Sequence, residues 1–299
     1  MSDKEETILK DVEESGYPLE VDVANWLIEK GWSPIPQYVY TDEKTKKMRT
    51  IDFVAYYFTK SISDVANFPQ LVIECKTTRR EKQGAWVFHF TINPVEGLKE
   101  VVRSLSLVQN QTEMRGIGID LFTFVSMSGT FASLIQQHLD LENLEKSYAS
   151  LTSDKVFDLI FKSHFFDANL PRAYSCHVVR QKDEDSPNIF RKAVYQVKGA
   201  CTYLAKSYPK WPIMATIVYN GDLYGYKRGL KPELTPYKHV LYSTPELIPE
   251  DLTFPQNSMP PFVIDVVKDT YFTEYLELLK KDFEILNTVR RKLERIGNE

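Results

Sequence analysis

The run Leu71-Val72-Ile73 ends in Glu74-Cys75-Lys76, an apolar strand that takes on an acid and a base as it leaves the core. Side chains alternate across a strand, so Val72, Glu74 and Lys76 share one face and Leu71, Ile73 and Cys75 the other. Cys75 is therefore expected as a small core residue. Glu74 and Lys76 project together and need a reason to be there. Upstream, Thr50–Phe58 reads as a strand from its β-branched and aromatic content, and Asp52 interrupts it in the same way. If the two strands pair, Asp52 and Glu74 meet at one end of a sheet.

Two carboxylates that close raise each other's pKa, and a divalent cation relieves the repulsion. Carboxylate oxygens suit Mg²⁺ or Mn²⁺. A nearby ammonium can orient a polarised water or stabilise charge on a phosphate. A third acid, Glu20, precedes Val23, Ala24 and Leu27 by three, four and seven residues, which places it on the apolar face of a helix expected over 18–30. Each feature also has a plainer reading. Glu74 and Lys76 would serve as an exposed ion pair worth under about 1 kcal/mol, Asp52 as a turn residue, and Glu20 as a partner of the helix dipole.

The 299 residues suit one large domain or two small ones, and 43% hydrophobic content marks a globular chain. A third strand is expected in the segment Ala85–Ile92. Helices are expected near 95–109, 131–147 and 152–165, a strand near 117–127 and a polar loop over 180–188. A helix over 189–207 carries the stripe Phe190, Ala193, Val194, Val197, Cys201 and Leu204. Asn220-Gly221 between apolar runs signals a hairpin. A strand over 261–268 and a long helix over 271–296 close the chain. The fold class expected is α/β, a central mixed sheet flanked by helices. Residues 1–91 form the first half of the core, 92–188 an inserted α/β subdomain, and 189–299 the second half with the C-terminal helix.

The net charge of −4 and a pI near 5.9 give no overall pull toward nucleic acid, so such a partner must meet a local patch. Lys44, Lys46, Lys47 and Arg49 precede Asp52, and Arg79, Arg80 and Lys82 follow Lys76; both groups suit phosphate contact or a solvated loop. The basic run Arg290 to Arg295 reads as a helix end complementing its dipole. Three cysteines without CxxC spacing point to a reducing compartment. No signal peptide or membrane span is expected, and the reading is a soluble, cytoplasmic protein with no membrane partner. No GxxxxGK[ST], GxSxG or HExxH spacing occurs, which disfavours a nucleotide cofactor, a serine hydrolase and a zinc site.

Asp52 followed by Glu74-Cys75-Lys76, behind a helix carrying Glu20, resembles the signature of the PD-(D/E)XK nuclease superfamily. The resemblance covers residues 17–90 closely and 189–270 loosely. It departs at Ile51, where the family has proline. It implies a restriction-endonuclease-like fold and an Mg²⁺- or Mn²⁺-dependent endonuclease acting on DNA. In that reading Asp52, Glu74, the backbone carbonyl of Cys75 and Glu20 hold the metal, and Lys76 assists the attacking water. Gln196, on the helix after the core strands, is a further catalytic candidate, with an ordinary helix-flank amide as the alternative. Lys47, Arg49, Arg79, Arg80 and Lys192 are the candidate nucleic-acid contacts, and a homodimer is one option for the assembly. The alternatives are a catalytically inactive module of the same fold that binds nucleic acid or protein, and a small-molecule enzyme using a carboxylate-lysine pair.

Overall fold

The computed structural model describes residues 3–43, 45–58, 69–77, 84–90, 159, 162–164, 167, 169–179, 189–207, 213–228, 231–244 and 262–296. The helices and strand expected within 95–147 lie outside these residues, as do Arg79, Arg80, Lys82 and Lys44. The chain divides into two compact units, Met1–Phe90 with Ala173–Tyr242 and Ile264–Glu277, and Thr91–Arg172 with Ser243–Val263 and Leu278–Glu299.

The first unit is mixed α/β. Helix α1 (Asp3–Glu14) leads into α2 (Tyr17–Glu29), where Pro18 occupies the first turn and Gly31, at φ +77°, follows the end. Leu19, Val23 and Leu27 form its buried stripe, as the spacing predicts. Strands β1 (Trp32–Thr41) and β2 (Met48–Tyr57) make an antiparallel hairpin with the exposed basic tip expected for it. β3 (Gln70–Lys76) pairs antiparallel with β2 and parallel with β6 (Ile213–Tyr219). Every residue of β3 from Gln70 to Cys75 is buried, the pattern of a strand covered on both faces. Helix α3 (Ile189–Ser207) packs across β3 and β6 through the predicted stripe.

The remaining strands complete one ten-stranded sheet in the order β1-β2-β3-β6-β10-β9-β5-β4-β7-β8. They are β4 (Ala85–Phe90), β5 (Arg172–Val179), β7 (Asp222–Lys227), β8 (Glu233–Tyr237), β9 (His239–Thr244) and β10 (Phe262–Lys268). Although β4 follows β3 in the chain, it lies between β5 and β7. β5 falls within the segment 92–188 yet is a member of this sheet. A short 3₁₀ turn (Asp269–Tyr271) leads into α4 (Phe272–Ile296). Within the first unit α4 buries Phe272, Tyr275 and Leu276, and the Tyr275 hydroxyl lies 2.8 Å from Thr216 Oγ1 on β6.

The hairpin expected at Asn220-Gly221 does not form. β6 stays between β3 and β10, while β7 turns away to pair with β4 and β8. Aromatic packing explains the corner. The Tyr219 ring folds back over Gly221 and stacks on Trp86, centroids 3.8 Å apart, and its hydroxyl donates to the Gly84 carbonyl at 3.0 Å. Trp86 in turn meets Phe190 of α3 edge-on. Side-chain stacking of this kind outweighs the local preference for a tight hairpin.

In the second unit, Asp282 of α4 is buried and organises residues 163–164. It accepts from Ser163 Oγ at 2.9 Å and from the His164 amide at 3.1 Å, and it contacts His164 Nδ1. One carboxylate thereby satisfies several polar groups in a buried place.

A Cβ at Gly221 would collide with the Tyr219 ring. Gly221→Ala is expected to cost about 1–3 kcal/mol, the usual scale of overpacking. Urea unfolding should show a lower midpoint with an unchanged slope; an unchanged midpoint would mean that the ring is free to move.

Candidate active site

β2 and β3 set the site by register. Phe53 pairs with Ile73 and Val54 with Val72, so the same register carries Asp52 opposite Glu74. Beyond Phe53 the ladder changes partner: the Cys75 amide donates to Asp52 Oδ2 at 2.7 Å. The N–H and C=O of one strand residue point to the same side. The Cys75 carbonyl therefore faces the Asp52 side of β3. On the other side β6 takes over, and the Asn220 amide donates to the Lys76 carbonyl at 3.2 Å.

Glu74 is 1% exposed and ion-paired to Lys76 through Oε1. Its other oxygen, Oε2, is buried with no hydrogen-bond partner. Burial pushes the Glu74 carboxyl up to about 7, and the charge of Asp52 adds to the rise. Lys76 and the Asp52 amide oppose it and do not cancel it. Removing a carboxylate from water costs more than one ammonium returns. Asp52 is raised for the same first reason, burial, against the Cys75 amide and Lys76.

Glu20 enters from α2. Burial and then the Asp52 charge raise its carboxyl, and Gln37 and Lys76 lower it. Its Oε2 accepts from Gln37 Nε2 at 3.1 Å. The Cys75 thiol is pushed well up by burial and then by Asp52, Glu20 and Glu74, with Lys76 opposing. All four predicted charged residues are thus gathered around the Cys75 position. Cys75 itself is the buried core residue expected from the alternation.

Gln196 lies on α3 with Oε1 buried and unpartnered. Its backbone carbonyl accepts from the Tyr40 hydroxyl at 3.1 Å. A Cβ at Gly199 would stand 2.9 Å from the Tyr40 ring, so a glycine there is what lets α3 close on β1. Burial raises the Tyr40 hydroxyl to about 12, and Glu74 is among the charges acting on it. Gly199 is a small residue a turn after Gln196, where the sequence lets the helix approach the sheet closely, and Tyr40 belongs to an aromatic run expected in the core or on the sheet face. Gln37 carries no such signal.

Several of the described basic side chains are engaged by acids. Arg49 pairs with Asp42 at 2.9 Å, and Lys46 and Lys206 both reach Glu43, at 3.1 and 3.3 Å. Lys47 is exposed at the hairpin tip and Lys192 is exposed on α3. Apart from this site, His239 Nε2 and Asp265 Oδ1 make a buried contact at 2.6 Å in the first unit, with Tyr275 edge-on against the imidazole.

The raised Glu74 carboxyl has a consequence for stability. Below about pH 4.5 both folded and unfolded chains hold the proton. Between about 4.5 and about 7 the unfolded chain releases it first, so stability falls as pH rises through that window. Glu74→Gln removes the ionisation. It is expected to be more stable than the parent chain at pH 8, by roughly 3 kcal/mol, with the gap closing toward pH 4.5. Thermal unfolding across this range checks it; a gap that does not vary with pH would contradict it.

Comparison with protein-family models, with curated proteins and with solved structures gave no match.

Proposed function

We propose that the chain is a metal-dependent nuclease that hydrolyses phosphodiester bonds in DNA, on a core of restriction-endonuclease-like type. One observation carries the reading. A buried carboxylate oxygen, Glu74 Oε2, has no hydrogen-bond partner, and its carboxyl feels the charges of Asp52 and Lys76, which also act on Glu20. A buried acceptor left open costs about 1–3 kcal/mol, more when charged, and a cation removes that cost. The donors fit a hard divalent ion, since all are oxygens and none is sulfur or imidazole. Asp52, Glu74, Glu20 and the Cys75 carbonyl would hold Mg²⁺ or Mn²⁺. The succession α2, β1-β2 hairpin and β3, with α3 following β4 and β5 and with β6 parallel to β3, supports the fold reading.

A divalent ion held by these oxygens would supply polarisation of a phosphate oxygen and acidification of water. The chain's own groups do the rest. The Cys75 amide fixes Asp52 Oδ2 and so sets the plane of its carboxylate. Lys76 places an ammonium at the strand end, where it steadies the negative charge that builds on the phosphate as water adds. Glu74 gives up its proton when the cation arrives. Metal affinity should accordingly rise with pH up to about 7. Of the predicted nucleic-acid contacts, Lys47 and Lys192 are described and exposed, and Arg49 is held by Asp42.

Purified protein with circular and linear DNA tests this in Mg²⁺, Mn²⁺ or EDTA. Cleavage that needs metal, and that falls at least about 100-fold in Glu74→Ala and Lys76→Ala while circular dichroism is unchanged, is expected. Full activity in both variants would remove the assignment. DNA binding without cleavage under all three conditions would favour the inactive binding module instead.

A further inference from the structure

Gln37 stands out within β1. It has φ +48°, in the left-handed region that side-chain-bearing residues rarely adopt. The β1-β2 register runs from Trp32↔Tyr57 to Thr41↔Met48, and Gln37 alone among the residues of β1 is absent from it. Its place in that register is opposite Asp52. Turns routinely hold such a conformation, but this one sits inside a paired strand between Pro36↔Phe53 and Tyr38↔Ile51. The neighbouring ladder overrides what the residue would prefer, and strain of this kind collects where a site needs a particular side-chain direction. Here the result is visible: Gln37 Nε2 donates to Glu20 Oε2 at 3.1 Å.

Resting on the metal-site reading above, we propose that Gln37 is a positioning residue, whose strained backbone aims its amide at Glu20 and holds that carboxylate toward Asp52. Glu20 reaches the site from a helix, and its side chain has several rotatable bonds. Asp52 is anchored by a backbone amide and Glu74 by Lys76. Among the described contacts, the Gln37 amide is the anchor given to Glu20. Groups behind metal ligands commonly change metal affinity by tenfold or more when removed. A glutamine that served only the fold would not need the left-handed conformation, since glycine adopts it without strain.

Mn²⁺ titration by calorimetry of the parent chain, Gln37→Met and Gln37→Gly, with thermal unfolding of each, separates the possibilities. Methionine keeps the length and loses the donor; glycine loses the donor and the strain together. Both variants are expected to bind Mn²⁺ about tenfold more weakly. Gln37→Gly is expected to unfold at the same temperature as the parent or higher, so that affinity and stability move apart. Parent-like Mn²⁺ affinity in both variants would overturn the role of Gln37 and leave the metal reading standing. No Mn²⁺ binding by the parent chain would overturn the metal reading and the role of Gln37 with it.

Discussion

The burial of Glu74 is the constraint on which the rest of the site depends. β3 is enclosed on both faces, and a carboxylate near its end must lose most of its water. One oxygen is met by Lys76 and the other is left open. Replacing the acid with an apolar residue would relieve the core. The chain keeps the acid and sets Asp52 near it, which raises the cost further. Such an arrangement is hard to account for as packing and easy to account for as a cation site.

Three elements then hold the acids in place by different means. Asp52 is fixed by strand register and by a backbone amide, so its position follows directly from the β2-β3 ladder. Glu20 comes from the first turn of α2, whose buried stripe of Leu19, Val23 and Leu27 settles the helix rotation. α3 closes over β3 because Gly199 leaves room for the Tyr40 ring and the Tyr40 hydroxyl reaches the Gln196 carbonyl.

Much of this was legible in the sequence, for physical reasons. Strand alternation placed Glu74 and Lys76 on one face and Cys75 in the core, and helix periodicity placed Glu20 on the buried side of α2. Both rest on local geometry, which a sequence states directly. Long-range pairing was less legible. β4 reads as a strand but pairs with β5 and β7, because partner choice depends on the whole sheet. β8 was missed because its side chains are mostly exposed and it carries Pro236, as an edge strand tolerates. Asn220-Gly221 gave a sound turn signal that aromatic stacking redirected. Gln37 could not be foreseen, since its left-handed backbone arises from the strand around it and not from its own preference.

The most direct measurement is a carbon-13 NMR titration of the glutamate carboxyls, with and without Mg²⁺. One glutamate is expected to titrate near pH 7 in metal-free protein and to be absent in Glu74→Gln, with a marked fall in that midpoint when Mg²⁺ is added. A Glu74 carboxyl that titrates near its ordinary value, or one raised but indifferent to Mg²⁺, would contradict the claim that this buried acid is kept for a cation.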